Sequence, residues 1–381
     1  MKSKKKIKVV DLFSGVGGLT YGFTHEIRNK KMVKSHVFDI LFANDFSLSA
    51  SKAFSNNYPD ICIFNESIEK IDSKYLKDHG IDASNTDVII GGPPCQSYST
   101  IGKRKNDDRA KMYKEFKRIL DIIRPKLFIF ENVTGILSFK DDNGNKIIDE
   151  IINDFKDLGY RTYIETLNAR DYGVPQNRLR VFLVGVKEDV KMDWQFPKPI
   201  KGKFISVKDA IDDLPEVING ENADRYLGEP TNDYQRLMRS NSSFFLTEHT
   251  AGVYGDRINH IIANLGPGEK HDDINRKVLA GDLPNSLFLT SGYNNSYARL
   301  LADKPSATIT NNFGTPSANR CIHPYQNRAL TIREAARLQS FPDDFVFYGT
   351  ITEKRKQIGN AVPPLLSIAL AKSIKKFIDN I

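Results

Sequence analysis

The chain of 381 residues has few cysteines and no long apolar run. Its three cysteines, Cys62, Cys95 and Cys321, are scattered, so they predict neither a disulfide framework nor a metal motif and favour a reduced cytoplasm. No apolar stretch approaches the roughly 18 residues that a membrane span needs, and the sequence therefore predicts no membrane partner. The first apolar stretch, Ile7 to Phe13, is interrupted by two charges and predicts a strand rather than a secretory signal.

The charge balance favours a negatively charged partner. The formal net charge is +8 and the isoelectric point is about 9.1. An excess of this size fits a polyanion such as a nucleic acid, although charge alone does not establish one. The hydrophobic and charged fractions are those of an ordinary globular protein, and the length predicts two domains.

Short apolar runs alternate with helical patterns through the first half of the chain. This alternation predicts an α/β fold with a mainly parallel, doubly wound sheet that helices cover on both faces. From about residue 190 to about 325 turn-forming residues dominate and predict a loop-rich second domain. The predicted strands are 8–13, 37–44, 86–90, 126–130 and 180–186, and the predicted helices are 47–56, 68–77, 111–123, 146–158, 335–339 and 364–377.

A stiff turn carries Cys95. The hexapeptide Pro93-Pro94-Cys95-Gln96-Ser97-Tyr98 follows a strand-like run that ends in two glycines. Prolines fix the backbone, and glycines let other atoms approach closely. Such a turn can hold a thiol at the mouth of a cleft, as a nucleophile requires. The alternative is that Cys95 is a buried small hydrophobe.

Two other strand ends carry residues suited to a nucleotide-like ligand. Gly15, Gly17 and Gly18 follow the first strand with a G-x-G-G spacing, which differs from the G-x-G-x-x-G of dinucleotide folds. Asp45 follows the second strand, where a carboxylate can accept hydrogen bonds from ribose hydroxyls, and Phe46 can stack on an adenine. The alternatives are a tight structural turn for the glycines and a helix N-cap for Asp45.

Four further segments complete a family pattern. Together with the glycine turn and the Cys95 turn, their order closely resembles the DNA (cytosine-5) methyltransferases, and in particular the bacterial restriction-modification type. The resemblance covers nearly the whole chain, with only about residues 190–298 poorly matched. The four segments are Glu131-Asn132-Val133, Gln176 to Arg180, Arg299 to Thr310, and Gln357 to Pro364.

The resemblance implies a fold and an activity. The fold is that of the class I S-adenosylmethionine-dependent methyltransferases, a Rossmann-like sheet. Residues 1–190 and 326–381 would form the catalytic and cofactor-binding domain, and residues 191–325 a smaller loop-rich target-recognition domain. The enzyme would transfer a methyl group from S-adenosyl-L-methionine to C5 of a cytosine in duplex DNA, leaving S-adenosyl-L-homocysteine and using no metal.

The resemblance also implies catalytic roles. Cys95 is similar to the nucleophile that adds to C6 of cytosine, and Glu131 to the carboxyl that holds and protonates ring nitrogen 3. Arg178 and Arg180 resemble the arginines that grip the base carbonyl and organise the thiol. The alternative for Glu131 and Arg178 is a buried ion pair without a catalytic role.

Twelve positions are similar to the family's cofactor contacts. The chain departs from the family at one of them, because Glu66-Ser67-Ile68 stands where the family often has Asp-Ile. The twelve are Phe13, Gly15, Gly17, Gly18, Asp45, Phe46, Ser67, Ile68, Pro93, Asn360, Ala361 and Val362.

The polar segment from Ser97 to Arg109 resembles the loop that closes over a flipped base, since a base inside a duplex must leave the stack to be modified. The alternative is a solvated run of charges. A stretch from Gly281 to Tyr297 is predicted to contact bases. The predicted DNA-binding residues are Gln96, Ser97, Ser99, Lys103, Arg104 and Lys105.

The leading hypothesis is a cytoplasmic, monomeric modification enzyme that acts on double-stranded DNA beside a cognate restriction endonuclease. An RNA cytosine-5 methyltransferase is one alternative, although the Cys-Phe-Thr motif of that branch is absent from the sequence. A catalytically silent DNA-binding homologue is another, although such proteins typically lose the cysteine or a turn glycine. An NAD-dependent dehydrogenase is disfavoured by the glycine spacing.

Overall fold

The computed structural model describes residues 5–94, 112–141, 143–242, 244–290, 296–318 and 320–381. The predicted nucleophile Cys95 lies outside the described residues, and so do Gln96 and the Ser97 to Arg109 segment with all of its predicted DNA contacts. Residues 291–295 of the predicted base-contact stretch also lie outside them.

A seven-stranded sheet forms the centre of the molecule. β1 pairs in parallel with β4 and β6, β4 with β5, and β6 with β7, whereas β9 is antiparallel to both β7 and β8. The strands lie in the order β5-β4-β1-β6-β7-β9-β8. Their bounds are β1 Ile7–Leu12, β4 Phe38–Asn44, β5 Ile63–Phe64, β6 Val88–Gly91, β7 Leu127–Asn132, β8 Tyr160–Asn168 and β9 Leu179–Lys187.

Helices cover both faces of this sheet, because its central strands are apolar on both sides. All six residues of β7 are buried, and in β1 the neighbours Val9 and Val10 belong to two separate hydrophobic clusters, one on each face. The helices of the first half are α1 Tyr21–Thr24, α2 Leu48–Asn57, α3 Ser73–Asp78, α4 Met112–Ile123 and α5 Ile147–Asp157.

The predicted α/β sheet is confirmed, whereas several smaller elements differ from the prediction. The helix predicted over 68–77 is wrong: a 3-10 turn covers Ile68–Lys70, Ile71 leaves helical geometry, and Asp72 then caps the separate helix α3. The sequence analysis also missed β8. This edge strand is polar and partly exposed along most of its length, so it lacks the apolar run that marks the central strands.

A short hairpin between α1 and β4 was also missed. Its strands are β2 His25–Arg28 and β3 Lys31–Lys34, which pair in antiparallel register. Asn29 and Lys30 form the turn, both with positive φ, which is the geometry of tight two-residue hairpins.

The region after β9 contains short helices separated by loops. α8 and α9 pack around a small hydrophobic cluster of their own, whereas the segment around α6 packs into the cluster on one face of the main sheet. Within the described parts of the chain, no helix has the length and apolarity needed to cross a membrane. These helices are α6 Val207–Ile211, α7 Asp233–Met238, α8 Asp256–Ala263 and α9 His271–Leu279, followed by α10 Ile332–Leu338, α11 Ile351–Asn360 and α12 Pro364–Ile378.

Buried ion pairs tie α10 to the loop-rich region. The predicted capping box is confirmed, since Thr331 and Glu334 exchange hydrogen bonds at the start of α10. The Arg328 guanidinium donates to both oxygens of Glu334, at 2.8 and 2.7 Å, and Arg337 pairs with Asp213 and Asp343. A buried charge without its partner would be costly. These pairs therefore fix the position of α10 relative to the segments that carry Asp213, Arg328 and Asp343.

Candidate active site

Several of the predicted site residues that the structure describes lie at one edge of the sheet. β1, β4, β6 and β7 are parallel, so their carboxyl ends share an edge, and ligands of doubly wound sheets bind there. That edge carries the glycine turn after β1, Asp45 after β4, the Pro93-Pro94 segment after β6 and Glu131 near the end of β7.

The glycine turn has one open side and one packed side. Among the described residues, a Cβ atom added at Gly15 would meet nothing within 4 Å, whereas one added at Gly17 would lie 2.3 Å from the Tyr58 ring. At Gly18 the added atom would lie 2.4 Å from the carbonyl oxygen of Val362. Gly17 and Gly18 are therefore required by packing, and Gly15 leaves space for a ligand.

Asp45 is a partly buried carboxylate that joins the turn to α2. Its Oδ2 accepts a hydrogen bond of 2.9 Å from the Gly15 amide, and its Oδ1 accepts one of 2.8 Å from Ser47. Burial raises the pKa of Asp45, and these two amide donors oppose the rise. The N-cap of α2 is Ser47, so the N-cap alternative for Asp45 is wrong.

The residues beside Asp45 suit a nucleoside. The Phe46 side chain is 73% exposed, which is unusual for a large apolar ring and leaves it available for stacking. Ser67 is partly exposed, whereas Ile68 is buried in the core. An acceptor carboxylate, an open aromatic ring and a glycine with free space beside it together fit an adenosine-containing cofactor.

Glu131 and Arg180 form an ion pair at the same edge. The Nε atom of Arg180 lies 3.0 Å from Oε1 of Glu131. Burial raises the pKa of the Glu131 carboxyl, while Arg180 and then Arg178 oppose the rise. A carboxyl with a raised pKa is suited to give a proton to a reacting group or to take one from it.

The segment that leads to Cys95 lies directly against this carboxyl. A Cβ atom added at Gly92 would lie 2.8 Å from Oε2 of Glu131. The Asn132 side-chain amide donates a hydrogen bond of 3.4 Å to the Pro93 carbonyl. The structure therefore brings the end of β7 together with the last described residues before Cys95.

We expect Gly92→Ala to impair turnover selectively, because the added methyl group would displace the Glu131 carboxylate. A displacement of about 1 Å can cost on the order of 100-fold in rate. The activity that the resemblance implies, methyl transfer, is measured at steady state beside binding of S-adenosyl-L-homocysteine. Gly228→Ala is the matched control, since its Cβ atom meets nothing within 4 Å of the described residues. Full activity of Gly92→Ala would contradict the assigned geometry.

Arg178 and Arg180 make different contacts. The Arg178 side chain is fully buried and donates to three backbone carbonyls, those of Ile309, Gly359 and Ala361. Residues 359–362 thus lie between Arg178 and the glycine turn, which brings the predicted Ala361 and Val362 to the cofactor side. Asn360, at the end of α11, is exposed.

Sequence reasoning missed several polar residues that hold this site together. Gln176 accepts from the Ile309 amide and donates to Gln339. Asp11 is buried under the glycine turn, accepts a hydrogen bond from Thr20, and has a pKa that burial raises to about 7. The sequence offers one signal for such residues, which is a polar residue inside an otherwise apolar segment. It does not show which buried groups that residue contacts.

Fold and site together define a class I methyltransferase. A solved structure described as a DNA modification methyltransferase encoded within an E. coli prophage has a TM-score of 0.76 and 25% identity, covering 98% of this chain and 100% of that one. A DNMT2 variant from Spodoptera frugiperda shares the fold, with a TM-score of 0.59 and 16% identity over 96% of this chain and 99% of its own.

The chain belongs to the family of C-5 cytosine-specific DNA methylases, whose model matches residues 7–376. The chain is 36% identical to the Type II methyltransferase M.DdeI of Desulfomicrobium norvegicum, covering 98% of this chain and 90% of the relative. Identity to M.AgeI of Thalassovita gelatinovora is 33%, covering 97% and 99%. The predicted family is therefore confirmed, and the protein is an enzyme of the DNA (cytosine-5-)-methyltransferase class.

Proposed function

We propose that this enzyme is the modification methyltransferase of a Type II restriction-modification system. It acts as a cytoplasmic monomer on double-stranded DNA, and a cognate endonuclease is its functional partner. The observation that carries the proposal is the buried Glu131–Arg180 pair, which lies against the segment leading to Cys95 at the edge that also carries Asp45 and the glycine turn. The names of M.DdeI and M.AgeI as Type II methyltransferases support it.

The cofactor in this proposal is S-adenosyl-L-methionine, which supplies an electrophilic methyl group when bound. Asp45 would accept hydrogen bonds from its ribose, Phe46 would stack on its adenine, and Gly15, Gly17 and Gly18 would hold its methionine part. Phe13, Ser67, Ile68, Pro93 and the segment Asn360-Ala361-Val362 complete the pocket. The product is S-adenosyl-L-homocysteine.

The chemistry begins at Cys95. Its thiolate forms a bond to C6 of a cytosine flipped out of the duplex, and the electron pair of the C5–C6 double bond moves toward C5. Glu131 gives its proton to N3, so the adduct carries no additional negative charge, and Arg180 holds Glu131 in place. C5 then forms a bond to the methyl group while the methyl–sulfur bond breaks and its electron pair stays on sulfur. Solvent takes the C5 proton, and the C5–H electron pair restores the C5–C6 double bond and expels the Cys95 thiolate. Glu131 recovers its proton from N3.

The enzyme is tested by supplying labelled S-adenosyl-L-methionine with unmethylated genomic DNA or with RNA. The proposal expects label in DNA and none in RNA. Label confined to RNA would instead support the RNA-modifying alternative, and the absence of label from both would support a silent DNA-binding homologue.

A cofactor-side variant tests the ribose assignment. We expect Asp45→Ala to weaken binding of S-adenosyl-L-homocysteine by roughly 10- to 100-fold, because hydrogen bonds to a charged group contribute about 1.5–3 kcal/mol. Calorimetry measures this affinity, and DNA affinity should change little. Asp39→Ala is the control, because Asp39 is an exposed carboxylate on β4, the strand that precedes Asp45. A larger loss of DNA affinity than of cofactor affinity would show that Asp45 has another role.

A cationic cleft of about 640 Å³ opens between the connection that joins β8 to β9 and the loop-rich region. Positive side chains line it with one carboxylate, Asp303, and phosphate groups of a duplex are the natural partners of such a surface. Lys203 and Lys304 are exposed on its wall. The other cations of the cleft are Arg170, Lys270, Arg299 and Arg320.

We expect the double variant Lys203→Ala and Lys304→Ala to bind DNA more weakly at low salt and to depend less on salt. Each lost phosphate contact lowers the magnitude of the log–log salt slope by about 0.9, so the pair lowers it by about 2. Fluorescence anisotropy with random-sequence duplexes gives the slope. The control is Lys5→Ala with Lys6→Ala, which removes the same charge at the opposite edge of the sheet. If both pairs change the salt slope equally, the cleft is not the phosphate-binding surface.

A further inference from the structure

Arg178 is a buried, charged side chain that links the segment beside the glycine turn to the strand that carries Arg180. Its side chain has no exposed surface. Its Nη1 donates to the Ile309 carbonyl at 3.0 Å, and its Nη2 donates to the carbonyls of Gly359 and Ala361 at 2.7 and 3.0 Å. The planar guanidinium reaches these carbonyls from two separate nitrogen atoms, Nη1 and Nη2, whereas a lysine would offer a single nitrogen.

Two of these carbonyls belong to the end of α11, where backbone carbonyls lose their partners within the helix. Gln339 supports the same turn, because its Nε2 donates to the Ile358 and Ala361 carbonyls at 2.9 and 3.0 Å. The Ala361 oxygen therefore accepts hydrogen bonds from both side chains. Buried carbonyls without these donors would be unsatisfied, so Arg178 and Gln339 fix where α11 stops.

The segment that they fix forms one wall of the glycine turn. A Cβ atom added at Gly18 would lie 2.4 Å from the Val362 carbonyl oxygen and 3.0 Å from the Ala361 side chain. The two backbones are thus in direct contact. A shift of residues 361–362 would move the wall against which Gly15 to Gly18 are held.

The other end of Arg178 belongs to the base side. The Arg178 amide donates to Asn168 Oδ1 at 3.1 Å, and two residues further on Arg180 holds Glu131. The charge of Arg178 also opposes the rise that burial causes in the pKa of Glu131. One buried side chain therefore connects the strand that orients Glu131 with the segment beside the cofactor turn.

We propose that Arg178 is a positioning residue that holds residues 359–362 against the glycine turn, while Arg180 alone of the two arginines faces the base. The inference rests on the proposed function, because it assigns the turn to S-adenosyl-L-methionine. It assigns different roles to Arg178 and Arg180, whereas the family resemblance gives both arginines a role at the base.

The test measures the affinity for S-adenosyl-L-homocysteine without DNA, by calorimetry, for the wild-type enzyme, Arg178→Lys and Arg180→Lys. Arg178→Lys should weaken this affinity about tenfold or more, because one ammonium nitrogen cannot occupy the positions of both guanidinium nitrogens that donate to residues 309, 359 and 361. Arg180→Lys should bind the cofactor within about twofold of wild type and yet lose methyl transfer. Unchanged cofactor affinity in Arg178→Lys would overturn the inference, and so would an equal loss in Arg180→Lys.

Gln339→Met provides a second variant in case Arg178→Lys does not fold, as judged by circular dichroism. It removes donors to the Ile358 and Ala361 carbonyls without altering either arginine. The inference expects cofactor affinity to fall in this variant too, and wild-type affinity would count against it. Failure of the wild-type enzyme to bind S-adenosyl-L-homocysteine would refute the proposed function instead, so the two failures are distinguishable.

Discussion

Cys95→Ser abolishes methyl transfer in the proposed mechanism while leaving the cofactor pocket intact. A serine hydroxyl ionises far less readily than a thiol and is a poor nucleophile toward C6 without an activating base. Removal of a nucleophile commonly costs more than about a thousandfold in rate, so transfer of label should fall below detection. Binding of S-adenosyl-L-homocysteine should stay close to the wild-type value, because none of the proposed ribose and adenine contacts is changed.

The matched control is Cys62→Ser. Cys62 is an exposed free cysteine on the approach to β5, and it should tolerate the same exchange without loss of rate. Label transfer by both variants is compared at equal protein concentration after circular dichroism confirms folding. Wild-type activity in Cys95→Ser would show that the reaction does not require a covalent bond between Cys95 and C6.

Glu131→Gln should cause the second-largest loss, on the order of 10² to 10⁴ in kcat, because a positioned general acid contributes about that much. Glutamine keeps the shape of the side chain but has no acidic proton to give to N3. It also leaves the Arg180 guanidinium without its charged partner. Single-turnover transfer of label measures the chemical step apart from product release.

The control for this variant is its affinity for S-adenosyl-L-homocysteine, which should remain near wild type because Asp45 and the glycine turn are untouched. Circular dichroism checks the fold, since the exchange alters a buried pair. A chemical step within about threefold of wild type would exclude Glu131 as the acid, because that loss is far smaller than a general acid supplies.

The central sheet could be predicted because its strands are marked by local chemistry. Runs such as Phe128-Ile129-Phe130 are apolar on both faces, and β7 is buried along its full length. β8 could not be predicted in this way, since it is a polar edge strand whose stability comes from pairing with β9. The interruption before α3 depended on Asp72 competing for backbone amides within an apparently continuous helical pattern.

The site could be predicted where a residue acts at a strand end. Asp45 and Glu131 follow or close apolar runs, and parallel pairing brings those ends to one edge. The contacts of Arg178 could not be predicted, because its carbonyl partners lie more than 130 positions further along the chain. Such contacts depend on tertiary packing, which the spacing of a motif does not encode.

Identification of the methylated base decides whether the enzyme modifies C5 of cytosine through Cys95. Unmethylated DNA is incubated with the enzyme and labelled S-adenosyl-L-methionine, digested to nucleosides and analysed by mass spectrometry, with Cys95→Ser in parallel. The account predicts that 5-methyldeoxycytidine carries all of the label and is absent from the variant's product. Label on an exocyclic nitrogen of cytosine or adenine, or 5-methyldeoxycytidine formed equally by the variant, would contradict it.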